Sequence, residues 1–324
     1  MEEKKVLFEV KNLRKYFPAK GGKVVKAVED VSFKIYEGET FGVVGESGCG
    51  KTTVGRTLLG VYEPTSGEIL YKGKNTAEFN AEEKLAFSKN CQMIFQDPAA
   101  CLDPRMSIGT IVSEGLNVHY KNMSRAEKED RVNQVLGYVG LTTDYASRFA
   151  HELSGGQRQR IGIARALAIE PGFIVCDEPI AALDVSIQAQ VVNLLTRLQQ
   201  ELGLTYMFIS HDLSMVRHIS DRIAVMYLGS LVELGDNKSI YGKPMHPYTQ
   251  ALFSAIPEPD PYHSWLKNRV HLQGEIPSPI NAPAGCKFCT RCPHATEQCK
   301  LEPPALKEIE PGHFVACHMI QPAE

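Results

Sequence analysis

Residues 40–52 read TFGVVGESGCGKT. A short apolar run passes directly into a glycine-rich turn and then into residues suited to the first turn of a helix. The segment GESGCGKT (45–52) has the spacing G-x-x-x-x-G-K-[ST]. Glycines at Gly45, Gly48 and Gly50 let backbone N–H groups face inward and cradle phosphate oxygens, with Glu46, Ser47 and Cys49 completing the turn. Lys51 supplies a point charge for β- and γ-phosphates, Thr52 offers a hydroxyl to Mg2+, and Thr53 follows on the same turn. A helix beginning there adds its positive end. Strand, phosphate loop and helix in that order predict an α/β core. A chance glycine-rich turn is the competing reading, and it does not account for the strand before and the helix after.

Two further stretches carry chemistry. FIVCDE (173–178) is an apolar strand ending in two carboxylates. Asp177 suits Mg2+ coordination through water, and Glu178 can orient an attacking water and accept its proton. LSGGQRQRIGIARAL (153–167) starts a helix: Ser154 caps it, and Gly155 and Gly156, followed by Gln157, expose backbone N–H groups as a second anion site. One nucleotide does not need two such loops from one chain. The second loop is therefore expected to complete the site of a partner subunit.

The remaining pattern fills in an architecture. VLFEVKNL (6–13) and VVKAVEDVSFKIYEG (24–38) read as strands of a small antiparallel sheet. Residues 80–150 look mainly helical with breaks at DPAACLDPR, which predicts a helical subdomain over about 90–150. SIQAQVVNLLTRLQQEL (186–202) has helical spacing, TYMFISHD (205–212) is a core strand, and DRIAVMYLGSLVELG (221–235) a hairpin. After about residue 240 the chain turns proline-rich, in KPMHPYTQALFSAIPEPDPYHSW and EIPSPINAPAG. The expected division is a nucleotide-binding domain over 1–240 and, over 241–324, a connector leading to a small cysteine-rich module.

Bulk properties narrow the classes. The 324 residues are 43% hydrophobic and 23% charged, with a formal net charge of −3, so no basic excess points to nucleic acid. MEEKKVLFEV is not a secretory signal, and no run of about 18 apolar residues is long enough to span a membrane. Five of the nine cysteines lie beyond residue 285. Clustered cysteines in a chain without a secretory signal suggest metal binding more than disulfides.

These motifs together resemble the ATP-binding cassette family, the nucleotide-binding subunits of ABC transporters. GESGCGKT resembles its Walker A loop, FIVCDE its Walker B strand with the catalytic glutamate, and LSGGQ its signature motif at all five positions. Gln96 in MIFQDP resembles the Q-loop glutamine, which in the family senses the γ-phosphate and Mg2+ and touches the transmembrane partner. ALD (182–184), ending in Asp184, resembles the D-loop, with Ala181 standing where close relatives often carry Ser. His211 in ISHD resembles the switch histidine that contacts the γ-phosphate. Phe17 or its neighbour Tyr16 resembles the aromatic that stacks on adenine; an apolar core role is the other reading. The resemblance covers about residues 6–240. It implies a P-loop ATPase core with antiparallel β and helical subdomains, MgATP as substrate, and two cassettes closing head to tail around ATP.

Within that family GESGCGKTTVGRTLLG, FQDPAACLDPRMSIG and DEPIAALDVSIQAQVVNLL resemble the peptide-transporter branch, which includes oligopeptide, dipeptide and nickel importers. The first two are more similar to the second of its two paired ATPases. HPYTQALFSAIPEPDP and GEIPSPINAPAGCKF resemble its C-terminal extension. The resemblance implies two transmembrane permease subunits, a paired and distinct ATPase, an extracytoplasmic substrate-binding protein as an indirect partner, and a peripheral place on the cytoplasmic face of the membrane. CKFCTRCPHATEQC (286–299) has C-x2-C-x2-C spacing, with Cys299 after it and Cys317 near the end. Branch members with cysteines matching Cys286, Cys292, Cys299 and Cys317 bind a 4Fe-4S cluster. Cys289 departs from that pattern, as a substitute ligand or a spare thiol. Zinc, free thiols or a disulfide are the other readings of the thiols. A soluble ABC ATPase acting on nucleic acid and an iron–sulfur redox-regulated ATPase are the alternative functions.

Overall fold

The computed structural model describes residues 4–256, 272 and 274–322. The middle of the expected proline-rich connector, 257–271, lies outside the described residues. The chain divides into two compact units, one of Met1–Tyr36, Thr40–Ala77 and Ser210–Glu324, the other of Glu37–Glu39 and Glu78–Ile209.

The first unit holds two groups of strands. β1 (Val6–Pro18), β2 (Val24–Tyr36), β4 (Ser66–Tyr71) and β5 (Lys74–Asn75) form an antiparallel sheet in the order β2-β1-β4-β5. This is the small sheet expected from the sequence, with β1 running five residues further than the alternation suggested and so carrying Tyr16 and Phe17. β3 (Thr40–Val44) pairs in parallel with β9 (Arg222–Tyr227), and β9 forms the expected hairpin with β10 (Ser230–Asp236). Every residue of β3 is buried, as a run apolar on both faces requires. β3 feeds α1 (Lys51–Leu58) through the glycine-rich turn.

The cysteine-rich tail is joined to this unit. β12 (His313–Val315) pairs antiparallel with β10, and β11 (Lys307–Glu310) pairs with β12, so the tail's hairpin continues the sheet. Short helices α8 (Leu213–Ile219), α9 (Asn237–Gly242), α10 (Pro247–Phe253) and α11 (Glu297–Leu301) complete the unit.

In the second unit β6 (Cys91–Ile94), β7 (Phe173–Asp177) and β8 (Thr205–Ile209) form parallel ladders in the order β6-β7-β8, and β7 and β8 are buried throughout. β6 is a short strand inside the stretch 80–150 that the sequence reads as mainly helical. Its four residues directly follow α2 (Ala81–Asn90), too short a run to break a helical pattern by eye. The helices are α3 (Pro98–Cys101), α4 (Ile108–His119), α5 (Arg125–Tyr138), α6 (Gly155–Leu167) and α7 (Val185–Leu202). Asn80 with Glu83, Ser124 with Glu127 and Ser154 with Gln157 make capping boxes that fix where α2, α5 and α6 begin. Gly203, in the left-handed region at φ 64°, stops α7.

Candidate nucleotide site

The phosphate loop depends on glycine at two positions. A methyl group at Gly45 (φ 151°) would lie 2.2 Å from the Met226 carbonyl oxygen, and one at Gly50 (φ 104°) 2.2 Å from that of Ala27. No larger residue fits either place without moving backbone. Lys51 is buried, and its Nζ donates to the carbonyls of Gly45 at 2.7 Å and Glu46 at 3.1 Å. The ammonium is thus held inside the curl of the loop. Cys49 N–H donates to Glu46 O at 3.2 Å, tightening the turn, and the Cys49 side chain is buried, where desolvation pushes its thiol pKa up. Ser47 and Gly48 are exposed at the loop's tip, and Thr52 and Thr53 form the first turn of α1. The Ser210 N–H donates to Val43 O at 3.2 Å, which sets the exposed His211 just past the strand that feeds the loop.

Of the two candidate aromatics, Tyr16 is engaged elsewhere. Its hydroxyl donates to Glu29 at 2.7 Å, and burial together with that carboxylate pushes its pKa up to about 12. Phe17 packs edge-on against Tyr62, ring centroids 5.2 Å apart, and Tyr62 in turn accepts from Arg56 of α1. The Phe17–Tyr62 pair is linked to α1 through Arg56, and the sequence alone does not single out Tyr62.

The second unit brings the carboxylates together with Gln96. Asp177 ends β7, buried, and Glu178 follows with a left-handed φ of 45°, uncommon for a residue with a side chain. The Glu178 N–H donates to Ile209 O at 2.9 Å, and the Gln96 amide donates to Glu178 Oε2 at 2.8 Å. Residues 82 apart in sequence therefore meet at one carboxylate. Ser154 caps α6 as expected: its Oγ accepts from Gln157 N–H at 3.3 Å, and its own N–H donates to Gln157 Oε1 at 3.0 Å. Ser154 and Gly155 are exposed. Methyl groups at Gly155 and Gly156 would lie 3.6 Å from Leu183 and 2.7 Å from Ile187, so the signature loop rests on the residues flanking Asp184, which itself is exposed ahead of α7. The exposed, glycine-lined start of α6 leaves backbone N–H groups open to solvent.

Comparison with known proteins decides the family. A family profile described as ABC transporter matches residues 28–181, and one described as oligopeptide/dipeptide transporter, C-terminal region, matches 232–299. The chain is 53% identical over 97% of its length to the oligopeptide transport ATP-binding protein AppF of Bacillus subtilis, covering 97% of that protein. It is 50% identical over 99% of its length to the oligopeptide transport ATP-binding protein OppF of Escherichia coli, covering 98% of it. This chain belongs to the oligopeptide branch of the ABC transporter ATP-binding subunits. Among solved structures, a dimeric ATP-binding cassette in a post-hydrolysis state bound to ADP and Pi matches with TM-score 0.65 at 29% identity, covering 71% of this chain and 98% of its own. Cassette cbiO1 of Clostridium perfringens, part of the ABC transporter complex cbiONQ, matches with TM-score 0.64 at 28% identity, covering 74% and 92%.

In this ABC subunit the tail is anchored by one buried carboxylate. Glu233 of β10 is fully buried and accepts from Met245 N–H at 2.8 Å, His246 N–H at 2.9 Å and His313 Nε2 at 2.7 Å. His246 then caps α10 by accepting the Tyr248 N–H on Nδ1 at 3.1 Å, with Pro247 at the first helical position. Tyr227, Tyr248 and the fully buried Phe288 cluster with ring centroids 4.7–5.5 Å apart. Phe288 stands between Cys286 and Cys289, so the cysteine-rich segment plugs into the cassette through an aromatic side chain.

The five tail thiols are electrostatic neighbours. Burial pushes Cys286 up to about 11, and Cys299, Cys289 and Cys317 push it the same way; Cys292 is raised by burial and then by Cys317, Cys299 and Cys289. The Cys286 N–H donates to Cys299 O at 2.8 Å. Among the described residues no group of three or more His, Cys, Asp or Glu side chains is arranged to hold a metal ion. Cys286, Cys289, Cys292, Cys299 and Cys317 come from three points of the chain, and thiols are soft donors. Cys49, Cys91 and Cys176 are buried as packing residues, and Cys101 is half-buried. Among the described residues no helix is long and apolar enough to cross a membrane.

Proposed function

We propose that this subunit binds MgATP and hydrolyses it to energise import of oligo- or dipeptides through a membrane transporter. The observation that carries the catalytic reading is the Glu178 carboxylate at the end of β7 with the Gln96 amide on it at 2.8 Å. The peptide cargo rests on the two relatives named as oligopeptide transport proteins. Lys51 and the N–H groups of the phosphate loop bind the phosphates, and Phe17 stacks on adenine in preference to the engaged Tyr16. Thr52, Asp177 and Gln96 are the residues that would hold the Mg2+ of MgATP, which would neutralise phosphate charge. Glu178 takes a proton from the attacking water, and His211 contacts the γ-phosphate. Ser154, Gly155, Gly156 and Gln157, with Asp184 beside them, close over the ATP of a paired, distinct ATPase subunit. ATP drives closure only to the extent that it binds the closed pair better than the open one. Two permease subunits receive the motion at the cytoplasmic face of the membrane, and an extracytoplasmic binding protein delivers cargo to them.

Cys286, Cys292, Cys299 and Cys317 are the residues that would hold a 4Fe-4S cluster, with Cys289 as a substitute for one of them and zinc as the alternative metal. Such a centre would staple a segment too small to build its own core. Iron and sulfide analysis of anaerobically purified protein tests this: about four irons per chain supports it, one zinc selects the alternative, and metal-free folded protein removes it.

Reconstitution of the subunit with its two permeases, its paired ATPase and the binding protein in proteoliposomes tests the main reading. ATP hydrolysis should rise when the binding protein is loaded with peptide and not when nickel or an oligosaccharide is offered. ATPase activity stimulated by DNA, with no response to peptide, would overturn it.

A further inference from the structure

The phosphate loop carries a carboxylate of its own at Glu46, one residue past the first glycine. A carboxylate beside a triphosphate is a like-charge neighbour and weakens binding unless it is neutralised or turned away. Arg291, between Cys289 and Cys292 of the tail, does this. Its Nη1 donates to Glu46 Oε2 at 2.9 Å and Oε1 at 3.2 Å, and its side chain is only 8% exposed. The same nitrogen reaches the Tyr227 hydroxyl at 3.5 Å. Independently, the Glu46 backbone N–H donates to the hydroxyl of the buried Tyr248 at 2.9 Å. Both groups of Glu46 are therefore held by the region after the cassette, from positions 245 and 202 residues away.

We propose that Arg291 and Tyr248 are positioning residues for ATP binding: they fix Glu46, Arg291 by neutralising its carboxylate and Tyr248 by anchoring its backbone, so that the phosphate loop is shaped and electrostatically prepared by the C-terminal extension. The tail is then part of the nucleotide site's support as well as an appendage to the fold. This rests on the reading of residues 45–52 as the ATP loop and adds the residues that hold it in place.

Titration of the full-length subunit with the fluorescent analogue TNP-ATP and Mg2+ tests the proposal, with a thermal melt to confirm folding of each variant. Arg291→Met should weaken binding about tenfold, and Arg291→Lys, which keeps the charge, less. Adding Glu46→Gln to Arg291→Met removes the carboxylate left without its partner and should recover most of the loss. Tyr248→Phe, which leaves the Glu46 N–H without its acceptor, should weaken binding about threefold to tenfold. In the ATPase assay the loss should fall on KM rather than kcat. Unchanged affinity in Arg291→Met, or a double variant no better than Arg291→Met, overturns the proposal, because a purely folding role gives no rescue by Glu46→Gln. If Arg291→Met melts before it can be titrated, the comparison of Arg291→Lys with and without Glu46→Gln decides in the same way. Lys51→Ala, run alongside, separates the two levels. If it binds TNP-ATP like the wild type, the ATP-loop reading itself fails; if it loses binding while the Arg291 and Tyr248 variants do not, only the positioning role fails.

Discussion

The Gln96 amide donates a 2.8 Å hydrogen bond to the Glu178 carboxylate, joining the loop after β6 to the end of β7. Glu178 is thereby held in one rotamer at a backbone position that is itself strained, with φ at 45°. A general base has to be aimed before it can act, and in the function proposed for Glu178 this bond supplies the aim.

Glu178→Gln should therefore lower ATP hydrolysis by about 10²–10⁴-fold while ATP still binds, since only proton acceptance is removed. The trapped nucleotide should hold two cassettes together, visible as a dimer on size exclusion with MgATP. Gln96→Ala should cost less in hydrolysis than Glu178→Gln, because it disturbs the aim and leaves the base. Normal turnover by the Glu178 variant would move the base to another residue.

The Ser154 side chain caps α6, and its exposed position is the one that the proposed function assigns to the nucleotide site of another subunit. Ser154→Ala should cost about 1 kcal/mol of stability through the lost cap. ATP turnover should fall far more in the assembled transporter than nucleotide affinity falls in the isolated subunit. Equal losses in both would place the signature loop on its own chain's nucleotide.

Phe288 ties the cysteine-rich segment to Tyr227 and Tyr248. Phe288→Ala removes a fully buried aromatic and should destabilise the tail by about 3–5 kcal/mol, read as an early transition in urea unfolding. Because Arg291 lies three residues on, the same variant should weaken TNP-ATP binding despite its distance in sequence from the loop. A single unshifted transition would show that the segment is held by something other than this cluster.

How far the sequence reaches follows from the range of each interaction. The phosphate loop, the α6 cap at Ser154 and the carboxylates after β7 are local: glycine geometry, a serine ahead of a glutamine, and an apolar run ending in acid are all visible within about eight residues. β6 was hidden because CQMI is four residues joined directly to α2, and β11 because KEIE alternates too briefly and is mostly charged. His246 and Pro247 announce the start of α10, yet nothing near them says that the Tyr248 hydroxyl meets Glu46. Arg291 reads as one basic residue among cysteines. Its meaning comes from a contact 245 residues away, and one sequence read by itself carries no trace of such a pairing.

His246 gives the fold a pH dependence that can be assigned to one group. It is fully buried against Glu233, and desolvation pushes its pKa down to about 4, although the nearby carboxylate pulls the other way. The folded chain keeps it neutral, with Nδ1 accepting from Tyr248 N–H. The unfolded chain protonates it below an ordinary value of about 6.5. Between about pH 6.5 and 4 the unfolded state therefore binds more protons, so stability is complete above that window and falls as pH drops through it. At pH 5 this group alone should cost about 2 kcal/mol relative to pH 7. Asn is a good helix cap without an ionisable ring, so His246→Asn should unfold with a shallower pH dependence than the wild type across this range. Subtracting the two urea-unfolding curves at pH 5 and pH 7 isolates the effect from the carboxylates that titrate nearby. If the two proteins lose stability equally between pH 7 and pH 5, His246 is not held neutral by its burial, and the acid sensitivity belongs to other groups.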